Sequence, residues 1–177
     1  MSTNVLSEES WDLIIVLDAT RYDYFKEYYG YFFEGELKKV WSAGSCTPEW
    51  FRNTFREYYN NDVLYISANP HINSYSVELH GCKASDHFAR ILDVWATDWD
   101  HQLGTVLPHS VNRVLRSVSR DPLLSKKRII AHYIQPHAPY VSPKSFVAGF
   151  PHYIGSWGVS RRGTYAGTSL WAPASDS

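Results

Sequence analysis

The stretch that most constrains the fold is Asp12-Leu13-Ile14-Ile15-Val16-Leu17-Asp18. A short apolar run with β-branched residues at its centre, closed at each end by an aspartate, reads as a strand. No polar residue alternates through it, so both faces need cover, the condition of a central strand in a parallel sheet. Val63 to Ser67 and Arg128 to Ile134 have the same buried-strand character, and Leu37 to Trp41 reads as a further strand.

Helical patterns fall between these runs. Pro48 suits a first helical turn, and Trp50, Phe51, Phe55 and Tyr58 are spaced to share one face of a helix over Pro48 to Tyr59. Val111, Val114, Leu115 and Val118 do the same over Pro108 to Ser119. Arg21 to Tyr31 reads as a short aromatic helix or irregular turn, Phe88 to Trp95 as strand or helix, and Asn69 to Gly81 as loop. Strands alternating with helices predict an open, mostly parallel α/β sheet. Such sheets gather ligands at the carboxyl ends of their strands.

With 177 residues the chain fits one domain with a substantial core. The pattern predicts that domain over residues 1–148 and an irregular tail over 149–177, rich in Gly, Ser, Arg and Trp. A formal net charge of −1 gives no electrostatic case for nucleic acid or an acidic membrane as partner. The first residues lack the basic-then-apolar layout of a signal peptide, and no run is long enough to span a bilayer. The expectation is therefore a cytoplasmic protein with no membrane span. Aromatic residues make up 16%, many in loop-like segments; they suit core packing, a cleft wall or an interface alike.

Three positions could carry chemistry. Asp18 closes the first strand, where a carboxylate either holds a divalent cation or caps the next segment. Cys46 and Thr47 lie in the turn Trp41-Ser-Ala-Gly-Ser-Cys-Thr-Pro48, which runs into a helix start. A thiol or hydroxyl there is favoured by the positive end of the helix dipole; alternatively Thr47 is simply an N-cap with Pro48 after it. His137 stands between Pro136 and Pro139 beyond the last strand, placed to bind an anionic oxygen or protonate a leaving group. His132, inside that strand, reads as buried structure. Asp23 reads as a cap or a partner of Arg21. Cys46 and Cys82 match no zinc spacing and form no disulfide framework.

In order and spacing, IIVLDATRYDYF, WSAGSCTPEWF and HYIQPHAPY resemble the N-terminal part of the alkaline phosphatase superfamily, in its sulfatase-like branch and its archaeal-type members. DVWATDWDHQLGTV, between them, fits the same group. The resemblance runs from about Trp11 to Tyr140. It implies a three-layer α/β/α sandwich with a mostly parallel sheet, incomplete at its C-terminal side. It also implies a metal-dependent hydrolase of phosphate or sulfate esters, with Zn, Mn, Ca or Mg bound by Asp18 and Thr47. Thr47 or Cys46 would be the nucleophile, and His137 would face the substrate.

Sulfatases oxidise the first residue of C/S-x-P-x-R, and here Trp50 stands in place of that arginine. This favours unmodified Thr47 over Cys46. The superfamily's later Asp-His-Gly segment has no counterpart in the right order. The resemblance thus implies a weakly active or inactive chain, an anionic and perhaps glycan-linked ester as substrate, and a homo-oligomer or completing chain as partner. A head-group transferase acting on glycans or lipids, and a non-catalytic binding module, are the alternatives.

Overall fold

The computed structural model describes residues 10–75, 78, 81 and 83–141. Among them are strands β1 (Leu13–Leu17), β2 (Tyr59–Ser67), β3 (Phe88–Asp93), β4 (Trp99–Asp100), β5 (Thr105–Val106) and β6 (Arg128–Tyr133). The helices are α1 (Tyr22–Tyr28), α2 (Thr47–Thr54), α3 (Val94–Thr97) and α4 (Pro108–Arg120). Four strands form one sheet in the order β1-β6-β2-β3, every pair parallel. The chain is therefore an α/β protein with a mostly parallel sheet, as its alternating pattern predicts.

The register of this sheet decides what meets at its carboxyl edge. Val16 pairs with His132 and Leu17 with Tyr133, while Ser67 pairs with His132 from the other side. The ends of β1, β6 and β2 therefore finish level. Side chains alternate between two apolar clusters, one on each face. Leu64, Ile66, Ile129 and Ala131 join Val111 and Val118 of α4 on one face. Val63, Tyr65 and Ile130 join Phe51 and Phe55 of α2 on the other. Burying each such aliphatic or aromatic side chain is worth about 1.5–3 kcal/mol.

Several expectations need correction. β1 reads as a central strand, yet it ends the row of described strands, with Leu13 43% and Ile15 46% exposed. Both point to the face that α4 covers, and α4 packs over β6 and β2 instead. Leu37 to Trp41 forms no strand; Val40 and Trp41 are exposed and the segment pairs with nothing in the sheet. The helix expected to reach Tyr59 stops at Thr54, because Phe55 leaves helical geometry to bury its ring against Tyr65 and Phe88. Tyr58 is accordingly exposed, and Tyr59 already belongs to β2.

The ambiguous stretch at Phe88 divides into β3 and α3. At the junction Asp93 accepts hydrogen bonds from the Ser74 N–H and the Trp95 indole. The β4–β5 hairpin went unread in the sequence. Its turn is set by Asp100, whose Oδ1 accepts the N–H groups of Gln102 and Leu103, and by Gly104 at φ +66°. The expected boundary at residue 148, the tail and Cys82 lie outside the described residues. Among the described residues no helix is long and apolar enough to cross a membrane.

Candidate functional site

Asp18 follows β1 directly, its N–H still bonded to the Tyr133 carbonyl at 3.2 Å. The next residue, Ala19, has φ +57°. A left-handed alanine costs roughly 1–2 kcal/mol, and here it turns the chain sharply as soon as Asp18 has been placed.

Thr47 arrives from a turn built around α2. The Ser45 N–H and hydroxyl both donate to Glu49 Oε2, at 2.8 and 2.7 Å, and hold that carboxyl below its ordinary range. Asn53 Nδ2 donates to the Ala43 carbonyl at 2.7 Å. Gly44 must be glycine: a Cβ there would lie 2.2 Å from the Trp50 nitrogen. Cys46, not Thr47, is the N-cap by backbone geometry, and its carbonyl accepts the Trp50 N–H at 2.9 Å. Thr47 therefore occupies the first helical position with Pro48 behind it, which frees its hydroxyl from capping. That hydroxyl donates to Asp18 Oδ2 at 3.3 Å. Cys46 is exposed and a free thiol.

Asn69 joins the pair. Its Oδ1 accepts the His71 N–H at 2.9 Å, which fixes the amide's orientation. Nδ2 then faces Asp18 Oδ2 at 2.8 Å and Thr47 Oγ1 at 3.3 Å. Ser67 steadies the turn by donating to the Asn69 carbonyl and accepting its N–H.

His132 lies beside this triangle and is buried, as its place in a strand predicts. Its Nδ1 is 2.8 Å from the Tyr65 hydroxyl, and the Trp50 ring meets it edge-on. Nε2 is 4.0 Å from Asp18 Oδ2 and has no hydrogen-bond partner among the described residues. Burial pushes the imidazole pKa down to about 4, with the Asp18 charge pulling the other way. Burial likewise raises the Tyr65 pKa well above its ordinary value, helped by the Asp18 charge.

His137 is not part of this cluster. It stands exposed beyond β6, its N–H bonded to the Ile134 carbonyl and its Nδ1 2.6 Å from the Ala138 carbonyl. Asp23 pairs with Arg21 at 2.6 Å. Asn69 was missed in the sequence because it stands in a polar loop; the level ends of β1 and β2 are what bring it in. A surface concavity of about 490 Å³ runs along α4 past His109, Arg113, Arg116 and Arg120, sharing no residue with the Asp18 site.

The cofactor this arrangement has to be tested against is a divalent metal. Among the described residues no group of three or more His, Cys, Asp or Glu side chains could hold one. Asp18 and Thr47 bring one carboxylate and one hydroxyl. The observation that bears on the fit is the orphaned, buried His132 Nε2 beside Asp18. It lies 4.0 Å from Asp18 Oδ2, wider than the roughly 3.3 Å between two ligands of one tetrahedral ion, so the described residues fall short of the three protein ligands a catalytic metal site uses. Comparison of the chain with protein-family models, with curated proteins and with solved structures returned no match.

Proposed function

We propose that the chain is a sulfatase-like, metal-dependent hydrolase of phosphate or sulfate esters, built on an incomplete three-layer alkaline phosphatase-like plan and weakly active alone. One observation carries the reading: Asp18 and Thr47, far apart in sequence, meet at 3.3 Å at the carboxyl edge of a parallel sheet. That is where such sheets hold ligands.

In this reading Thr47 is the nucleophile. Its proton is directed at Asp18 Oδ2, the nearest acceptor. Oγ1 also accepts a hydrogen bond from Asn69 Nδ2. Attack by Oγ1 forms a bond to phosphorus or sulfur as the bond to the leaving alkoxide breaks; water then cleaves the threonine ester and restores the hydroxyl. Asn69 keeps the hydroxyl and the carboxylate in register. Asp18 and Thr47 would be two ligands of the metal, and a completing chain would have to supply the remainder of the three a catalytic site uses; when bound, the metal would draw charge from the ester oxygens and lower the nucleophile's pKa. His137, on the adjacent loop, would meet the substrate's anionic or leaving oxygen.

The test is release of nitrophenol from p-nitrophenyl phosphate, bis(p-nitrophenyl) phosphate and p-nitrophenyl sulfate, with Zn, Mn, Ca and Mg supplied in turn. Slow metal-dependent release is expected from at least one ester, falling to background in Thr47→Ala and surviving in Cys46→Ala. Release that persists in Thr47→Ala, or none from any ester with any metal, sinks the reading. The second outcome would favour a binding module, a role that a site with a single carboxylate also suits.

A further inference from the structure

We propose that the solvent face of α4 is a binding surface for an inorganic phosphate chain, a linear polyanion recognised by charge alone. His109, Arg113, Arg116 and Arg120 follow one another at helical spacing along α4. At about 100° per residue they fall within an arc of roughly 60°, over a rise of about 16.5 Å. Val111, Val114, Leu115 and Val118 occupy the opposite side and pack into the core. The four therefore point to solvent, and all are exposed. With Asn112 and Ser117 they line the surface concavity of about 490 Å³.

The charge of this face is concentrated and largely unanswered. α4 carries three arginines and no acidic residue, in a chain whose formal net charge is −1. Asp98 pairs with Arg113, and among the described residues no carboxylate pairs with Arg116 or Arg120. Like charges three or four residues apart on a helix repel one another. Arg113 with Arg116, and Arg116 with Arg120, thus oppose the helix that carries them. The helix dipole compensates only Arg120, which stands in the last turn. A bound polyanion relieves both repulsions at once.

The lining selects the anion. Guanidinium forks bind phosphate oxygens in pairs and keep their charge at every working pH. Among the described residues that line the face there is no Tyr, Phe or Trp, the platforms on which single-stranded nucleic acids stack their bases. No large apolar side chain projects from it to enter a lipid surface. A peptide finds neither an apolar groove nor a sheet edge to occupy. The ligand that fits is repeated charge with nothing else to bury, and a phosphate chain is that. One of sufficient length reaches all three arginines, whose axial spacings are about 4.5 and 6 Å. The surface shares no residue with the Asp18 site and stands apart from the hydrolase reading.

The test is calorimetric titration of the full chain with long-chain polyphosphate and with pyrophosphate, at low and at higher salt. Pyrophosphate is too short to span the stripe. The variants are Arg116→Gln with Arg120→Gln and, as a control of equal charge change, Lys26→Gln with Lys38→Gln at exposed positions elsewhere. Glutamine matches arginine in helix propensity, and both arginines are exposed, so the fold is retained. Long-chain polyphosphate is expected to bind wild type and control alike, about tenfold or more tighter than pyrophosphate. The arginine variant should lose about tenfold or more, with its salt slope reduced by about 1–2. Equal affinity in the two variants, or no binding by the wild type at low salt, overturns the proposal. Equal or tighter binding of polyglutamate or of a single-stranded oligonucleotide of matched charge also overturns it, giving the face to an acidic peptide or to nucleic acid.

Discussion

The Tyr65 hydroxyl lies 2.8 Å from His132 Nδ1, a bond between two fully buried side chains on the adjacent strands β2 and β6. It is the contact that orients the imidazole beside Asp18. Replacing Tyr65 by phenylalanine keeps the ring packing and leaves both imidazole nitrogens without a protein partner. Loss of about 1–3 kcal/mol is expected in urea unfolding, with the fold retained. A change below about 0.5 kcal/mol, the range of neutral surface substitutions, would mean the bond contributes nothing.

Asn69 bonds both members of the proposed catalytic pair and also closes its own turn onto His71. Asn69→Ala should therefore cost about 1–2 kcal/mol in stability. It should also lower any Thr47-dependent hydrolysis about tenfold or more, since a misplaced nucleophile loses its orientation. Measuring both in one preparation separates the effects: an unchanged rate in a destabilised variant would assign Asn69 to the loop alone.

Asp98 ties α3 to α4. Its carboxylate accepts the Thr97 hydroxyl at 2.6 Å and a hydrogen bond from Arg113. The Thr97 bond, foremost, and then Arg113 hold its pKa below the ordinary 3.8, against the opposing effect of burial. A lowered folded-state value means stability that is present above the ordinary pKa and lost as pH falls through the lowered one. Asp98→Asn should thus melt earlier than wild type at pH 7, and the gap should close below pH 3.8. Thermal melts at pH 7 and pH 3 check this; an equal gap at both would contradict it.

Leu13 and Ile15 leave β1 with an apolar, half-exposed face at the end of the described sheet. Edges of this kind associate. The chain is expected to elute from size exclusion ahead of a monomer at high concentration, and Leu13→Thr with Ile15→Thr should shift it toward the monomer while β1 is retained. Identical elution of both forms would rule out β1 as the contact.

The identities of the elements were legible in the sequence wherever the pattern is local. LIIVL, the Val111-Val114-Leu115-Val118 stripe and the Arg128 run each announce strand or helix through period and composition alone. The link between Asp18 and Thr47 was legible through motif order. What tertiary structure alone decided was adjacency. β1 looks central because its residues are apolar on both sides, but which strand ends the row depends on pairing between distant segments. Leu37 to Trp41 has strand-like residues and no neighbour to pair with. Asn69 and His132 reach Asp18 only because Ser67 and Val16 both lie in register with His132. Register is a long-range property of the packed sheet, set by contacts that no window of sequence contains.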